Sequence, residues 1–333
     1  MKKNWLLSIG LLLVLSLFLV ACGGSDDDTS TEDGDSDTDA GGDDPEYLSF
    51  LTGGTSGTYY PLGGAIAKIF SDEAGINADA VSSNASADNM IALVDGEAEI
   101  AFTQTDVAAD AAEGINAFDE PIDTVLGLGS LYPETIQIVT IADSGIETVE
   151  DLEGKKVSVG APGSGTYINA EQILEVHDMT MDDIDAQNLD FGESAGGIKD
   201  GNIDAAFITA GTPTGAVEEL QATSEVHVLP IDDDKAEALI DQYPYYALDT
   251  IPEGTYGLEE EVNTVAVLAM IVVTEDLSED IVYDMTKALY ENADDIAHAK
   301  SEFISIDAAL DGIGIEIHPG ALKYYEEEGI EVE

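Results

Sequence analysis

No arginine occurs among the 333 residues, and ten lysines stand against 70 acidic side chains, for a formal net charge of −60 at pH 7. Without a basic stripe the chain has nothing to displace phosphate counterions, which excludes nucleic acid as a partner. Adsorption to anionic lipid through a polybasic patch is disfavoured for the same reason. The single cysteine, Cys22, rules out an internal disulfide, so packing alone has to hold the fold. The four histidines, His177, His227, His298 and His318, show neither an HExxH nor a Cys/His metal spacing. No Gly-Lys-Ser/Thr follows a glycine-rich turn, so there is no nucleotide P-loop. Gly163-Ser164-Gly165 lacks the outer spacing of a nucleophile elbow. These absences read as a protein that is not an enzyme and carries no cofactor or metal.

What is present begins at the N-terminus. Lys2 and Lys3 precede an apolar run over residues 6–20, the length of a signal-peptide core and shorter than the ~20 apolar residues of a membrane span. Leu19-Val20-Ala21-Cys22-Gly23-Gly24 resembles a bacterial lipobox. The expectation is a signal peptide over 1–21 and diacylation of the Cys22 thiol. The mature chain would then be extracytoplasmic, lipid-anchored to the outer face of the cell membrane. An ordinary secretory cut near Ala21 is the alternative. Residues 22–46 are nearly all Asp, Glu, Gly, Ser and Thr, which predicts a self-repelling, disordered linker. Asp35, Asp37, Asp39, Asp43 and Glu46 follow the spacing of an EF-hand loop, but Ala40 takes the glycine position and Pro45 precedes Glu46. No calcium site is expected there.

The ordered body is predicted from about Tyr47. A strand at 48–51 leads through Thr52-Gly53-Gly54-Thr55-Ser56-Gly57-Thr58-Tyr59-Tyr60-Pro61 into a helix over 62–73. A strand follows at 78–82, then a helix to Val94 with Ser86 as N-cap, and a strand at 98–102. Residues 125–131 and 135–141 read as two strands separated by Tyr132-Pro133-Glu134. The pattern then restarts, with a short helix at 149–152 and a strand at 156–159. The turn Ala161-Pro162-Gly163-Ser164-Gly165-Thr166 feeds a helix over 167–176. A strand at 188–191, a helix at 194–200 and a strand at 203–208 complete it. Residues 264–273 form a return strand, followed by helices at 278–291 and 293–301.

Two such strand–turn–helix series argue for an α/β protein of two lobes with mostly parallel sheets. Lobe I is expected over 47–132 plus 264–333, discontinuous, and lobe II over 133–263. The two crossings make a hinge, so closure around a ligand is the expected motion. Ligands gather beyond the carboxyl ends of parallel strands, where both glycine-rich turns lie. Their free amides and the helix dipoles favour an anion, with hydroxyls from Thr55, Ser56, Thr58, Ser164 and Thr166 as further donors. With no guanidinium available, a bound carboxylate has to rely on such groups and on Gln104 or Asn89. Tyr59, Tyr132 and Tyr167 are candidate walls.

The motifs together resemble the TAXI family, extracytoplasmic solute-binding proteins of TRAP transporters. The likeness spans about Tyr47 to Ile330. It rests on Gly53-Gly54-Thr55-Ser56-Gly57-Thr58-Tyr59-Tyr60-Pro61-Leu62-Gly63-Gly64, on Leu131-Tyr132-Pro133-Glu134, and on the run from Val157 through Thr166. Ala205-Ala206-Phe207, Ala210-Gly211-Thr212-Pro213-Thr214, Ile251-Pro252-Glu253-Gly254-Thr255-Tyr256 and His318-Pro319-Gly320 extend it. The resemblance implies a type II periplasmic-binding-protein fold and a membrane permease partner driven by an ion gradient. The implied ligands are glutamate, glutamine-like amino acids or C4/C5 dicarboxylates. It maps pocket positions to Thr55, Ser56, Thr58, Tyr59, Ser83, Ser86, Asn89, Gln104, Tyr132, Ser164, Thr166, Thr209 and Thr212. Asn84-Ala85 stands where the family commonly has two glycines. A sensory binding protein that signals to a membrane histidine kinase is the alternative reading.

The acidic residues are spread along the whole chain, which reads as a carboxylate surface suited to high external salt. Screening acts over ~30 Å at 10 mM salt and ~3 Å at 1 M, so self-repulsion is strongest in dilute buffer. The melting temperature should therefore rise steeply between about 10 mM and 2 M KCl. A salt-independent melt followed by circular dichroism would refute this.

Overall fold

A computed structural model describes residues 44–331. The signal peptide, Cys22, the EF-hand-like spacing up to Asp43 and most of the acidic linker lie outside the described residues. The linker's last residues do not conform to the expected disorder. Asp44 accepts hydrogen bonds from the Ser278 amide at 2.8 Å and the Ser278 hydroxyl at 2.5 Å.

The first series runs β1 (Leu48–Leu51), α1 (Tyr59–Ile69), β2 (Ala78–Val81), α2 (Ser86–Val94), β3 (Ile100–Gln104) and α3 (Thr105–Glu113). In β1 the alternation buries Leu48 and Phe50. Phe50 stacks on Phe102 of β3 at 4.9 Å between ring centroids, and Phe102 on Tyr59 of α1 at 4.5 Å. The helix expected over 62–73 starts earlier, at Tyr59, and passes into a π-helical turn (Phe70–Ala74) closed by Gly75 at φ 71°. Ser86 is the first helical residue of α2 and not its N-cap. That place belongs to Ala85, at φ 73°.

The expected break at Tyr132-Pro133-Glu134 is absent. A single 17-residue strand, β4 (Val125–Ile141), runs straight through it. Pro133 is compatible with an unbroken strand because its neighbours keep the ladder: Glu134 pairs with Val267 and Tyr132 with Ala269. The second series is β5 (Lys156–Ser158), α4 (Gly165–Val176), β6 (Asp185–Gln187), α5 (Phe191–Lys199), β7 (Ala205–Ala210) and α6 (Gly215–Gln221). The strand expected at 188–191 lies earlier in the chain, because Asp190 and Glu193 form a capping box that starts α5. β8 (Val226–Leu229), α7 (Asp233–Gln242) and β9 (Ala247–Ile251) follow, and β10 (Val262–Thr274) returns to the first lobe. Ser278 caps α8 (Glu279–Glu291), and α9 (Pro319–Glu328) ends the described chain. The helix expected over 293–301 is instead two 3₁₀ turns, Ala293–Asp295 and Ala299–Phe303.

One sheet, in the order β2-β1-β3-β10-β4-β7-β5-β6, carries both lobes. The triplets β2-β1-β3 and β6-β5-β7 are parallel and equivalent. The five pairings made by β10, β4, β8 and β9 are antiparallel, so parallel pairing is confined to the two αβ series. Strands β4 and β10 pair from Val125/Thr274 to Thr135/Ala266 and then part. Beyond that point β4 lies with β7 and β8, and β10 with β9. The buried apolar residues follow this division. One pair of clusters gathers around Phe50, Phe102, Tyr325 and Met270, another around Ile138, Phe207, Val217 and Val265.

Gly129 of β4 is required by packing. A Cβ there would fall on the hydroxyls of Tyr290 and Tyr325. These donate to the carbonyls of Ser130 at 2.9 Å and Leu128 at 2.6 Å. Gly129→Ala should therefore cost about 1–3 kcal/mol of stability, read by urea denaturation, and an unchanged midpoint would refute the assignment.

Candidate functional site

Four helices begin at one cavity of about 240 Å³. The connections β1→α1, β2→α2, β5→α4 and β6→α5 each place a helix N-terminus past the carboxyl end of a parallel strand. Thr58 and Tyr59 come from the first connection, Ala85 and Ser86 from the second, Ser164 to Thr166 from the third, and Asp190 with Phe191 from the fourth. The ends of the two third strands complete the wall with Gln104 of β3 and Thr209 with Ala210 of β7. The two lobes thus contribute by the same plan.

Nine of the thirteen candidate residues line this cavity: Thr55, Thr58, Tyr59, Ser83, Ser86, Gln104, Ser164, Thr166 and Thr209. Four do not. Asn89 is buried behind the wall, and its side-chain amide donates to the carbonyls of Thr52 at 2.9 Å and Phe102 at 2.7 Å. Tyr132 is packed in the first lobe's core with its hydroxyl unpartnered. Ser56 is turned toward Gly192, and its carbonyl accepts from the Ala216 amide at 3.0 Å. Thr212 has a buried hydroxyl with no partner, away from the cavity. Of the three candidate tyrosine walls only Tyr59 takes part, and Tyr167 is half-buried elsewhere.

The amides of Tyr59, Ser86, Gly165 and Thr166 have no protein partner among the described residues. Each helix start carries roughly half a positive charge, so this end of the cavity suits an anion. Ser164 caps α4 by accepting from the Tyr167 amide at 3.3 Å. Helix α2 has no side-chain cap, and the amides of Ala87 and Asp88 both donate to the Gly163 carbonyl of the other lobe at 3.0 Å.

Sequence reasoning missed Glu134. Its side chain is only 2% exposed yet lines the cavity. Oε2 accepts from the Tyr59 hydroxyl at 2.7 Å, and the Tyr132 hydroxyl faces the carboxyl. Burial raises its pKa to about 8, with the nearby Asp106 adding to the rise and the Tyr59 hydrogen bond, Lys300 and the Tyr132 hydroxyl opposing it. Among the described residues no lysine lines the cavity. Lys300, 7% exposed, packs its stem against Gly211 behind the wall. The only signal for Glu134 was its place in the Leu131-Tyr132-Pro133-Glu134 motif. The cavity therefore offers helix amides to an anionic group and a buried carboxyl to a cationic or hydrogen-bond-donating one. Among the described residues no cluster of His, Cys, Asp and Glu could hold a metal ion, and no helix is long and apolar enough to cross a membrane.

A protein-family model described as the NMT1-like family matches residues 50–329. The chain belongs to that family. Among solved structures, one from Bordetella bronchiseptica RB50 is 15% identical, with a TM-score of 0.57 over 86% of this chain and 98% of the other. Another, described as a periplasmic transporter, is 13% identical, with a TM-score of 0.54 over 85% and 93% of the two chains. The alkanesulfonate-binding protein SsuA from Xanthomonas axonopodis pv. citri, bound to MOPS, is 14% identical at a TM-score of 0.46, over 76% and 77%. The architecture is the two-lobe α/β fold of periplasmic binding proteins, as the motif resemblance implies; the alternation in the sequence implied the two α/β lobes.

A carboxyl whose pKa is raised on folding loses stability as pH climbs from its unfolded value toward its folded one. For Glu134 that window runs from 4.5 to about 8. Glu134→Gln should flatten this dependence and be more stable than the parent by about 2 kcal/mol or more at pH ~8.5. Urea denaturation at pH ~5.5 and ~8.5 checks it, and parallel pH profiles would refute it.

Proposed function

We propose that this protein is an extracytoplasmic receptor that captures a small organic anion between its lobes and delivers it to a TRAP-type membrane permease. A lipid on Cys22 would hold it at the outer face of the cell membrane. The observation that carries the reading is the convergence of four helix N-termini on one interlobe cavity. Membership of the NMT1-like family and the shared fold with a periplasmic transporter support transport as the setting. The motif resemblance from Gly53 to Gly320 supports the TRAP type of permease.

The cavity favours one of the ligand classes that the resemblance implies. A dicarboxylate would set its second anion beside the Glu134 carboxyl with no cation among the described residues of the lining. A zwitterionic amino acid would set its carboxylate on the amides of Tyr59, Ser86, Gly165 and Thr166 and its ammonium on the Glu134 carboxylate. A charge-assisted hydrogen bond to a buried carboxylate is about twice as strong as a neutral one. Glutamate or a glutamine-like amino acid is therefore the proposed solute.

Calorimetry with L-glutamate, L-glutamine, glutarate and 2-oxoglutarate tests this. An amino acid should bind at least ~10-fold tighter than its oxo or desamino counterpart, about 1.4 kcal/mol. Thr166, 3% exposed in the lining, replaced by leucine should abolish binding without lowering the melting point. Unchanged affinity in that variant, or no binding by any of the four, would refute the reading.

A further inference from the structure

Behind the cavity wall the polar contacts continue into the protein and cross from one lobe to the other. At their centre is Asn169 of α4, which is fully buried. Its Oδ1 accepts from Gln104 Nε2 at 2.9 Å and from the Thr209 hydroxyl at 3.0 Å. Its Nδ2 donates to Asp106 Oδ2 at 2.8 Å and to the Tyr246 hydroxyl at 2.7 Å. All four hydrogen-bonding positions of the carboxamide are filled. Two partners, Gln104 and Asp106, belong to the first lobe, and two, Thr209 and Tyr246, to the second. Tyr246 in turn donates to Gln172 Oε1 at 2.6 Å, and Gln104 Oε1 accepts from the Ser86 hydroxyl at 3.1 Å. Gly165 lets the lobes approach this closely, because a Cβ there would occupy the Gln104 carboxamide.

Asp106 terminates the chain of contacts. It is 4% exposed, and its Oδ1 is buried without a partner. The titratable groups that interact with it are Asp110 on α3, Tyr245 and Tyr246 ahead of β9, and Glu134 across on β4, with Glu113 beyond Asp110. No cation is among them.

Resting on the receptor reading above, we propose that Asn169 and Asp106 are positioning residues that clasp the lobes together. The clasp is complete only when the lobes are shut, fixes the Gln104 carboxamide in the solute's wall, and ties shutting to the uptake of a proton. Gln104 is the one member of the clasp's core that both contacts Asn169 and lines the cavity from the first lobe. Its orientation is set by Ser86 on one side and Asn169 on the other, so neither Asn169 nor Asp106 needs to touch the solute. When the lobes part, Asp106 meets water and ionises as an ordinary carboxylate. When they shut, burial raises its pKa to about 7, against the opposing hydrogen bond from Asn169. The shut form therefore holds more protons between these two values. Shutting weakens as pH rises through that window, by at most about tenfold per pH unit, and levels off above it.

The test uses the full chain with Cys22→Ser and spin labels on Glu97→Cys and Asp200→Cys, exposed sites on the first and second lobes. Interlobe distances are measured by pulsed electron resonance without solute. The parent should show a shut population at least ~3-fold larger at pH ~5.5 than at pH ~8. Asp106→Asn, which keeps an acceptor for Asn169 and removes the charge, should lose most of this pH dependence, and Asp106→Asn combined with Glu134→Gln should be equally shut at both. Asn169→Ala, checked for folding by circular dichroism, should be open at both, and Asp106→Asn alone decides the matter if that variant does not fold. A pH-independent parent, an open distribution throughout, or Asp106→Asn tracking the parent overturns the proposal. With L-glutamate as probe, the affinity of Asp106→Asn relative to the parent should be at least ~3-fold higher at pH ~8 than at pH ~5.5, and a parallel pH profile overturns the clasp. Failure of every solute to bind would sink the receptor reading while leaving the distance measurement decisive.

Discussion

The antiparallel pairing of β4 with β10 is the constraint on which the rest depends. These two strands are the connections through which both lobes are built, and both run unbroken across the junction. Their ladder ends at Thr135/Ala266, one residue beyond Glu134. The same strand pair thus fixes the first lobe's core, hands each chain to a different set of partners in the second, and holds the buried carboxyl at the cavity. In the receptor reading proposed above, these continuous strands are the hinge, and side chains on β4 at the junction keep their place while the flanking helix starts move.

Electrostatics follow from that geometry. In a chain with a formal charge of −60 and no arginine, the positive ends available to an anion are the helix starts. Four of them converge because two equivalent parallel triplets face each other across the junction. The same facing arrangement buries Glu134 and Asp106, and loss of water is the main reason both carboxyls are pushed up toward neutrality, with Lys300 opposing the rise at Glu134. On the surface, the acids are held apart by water and salt. Inside the junction neither is available, and protonation or a ligand's cation has to take their place.

The two series of strands and turns were readable because each used strong local signals: the short apolar strand at Leu48–Leu51 and the glycine-rich turns around Gly53 and Gly163, each feeding a helix. Thr55, Thr58, Ser164 and Thr166 at the cavity followed because the end of a parallel strand has one place to put its turn, whereas Ser83, Ser86 and Thr209 came from the family resemblance alone. What failed did so for physical reasons. Pro133 looks like punctuation, yet a proline whose neighbours carry the ladder leaves a strand intact. Asn188 to Phe191 looked extended, but the Asp190–Glu193 capping box starts a helix there. Asn89 has the chemistry of a ligand contact and spends it on two backbone carbonyls. Glu134 was indistinguishable among 70 acids, since burial, not residue type, makes it special. Asn169 carried no signal at all, because its four partners are distant in sequence.

The distribution of helix caps explains how such a junction stays responsive. Helices α4 and α5 are capped by their own side chains, Ser164 and Asp190, so their starts are fixed whether the lobes are open or shut. Helices α2 and α6 have no side-chain cap, and each takes a carbonyl from the opposite lobe: Gly163 for Ala87 and Asp88, Ser56 for Ala216. When the lobes part, water takes over these amides, so each exchange is worth only about 0.5–1.5 kcal/mol net. Ala85 is held at φ 73° ahead of α2, a conformation that costs on the order of 1–3 kcal/mol. In the receptor reading, a solute that contacts both helix starts and Glu134 adds differential affinity for the shut form alone, and it is this difference that shifts the lobes.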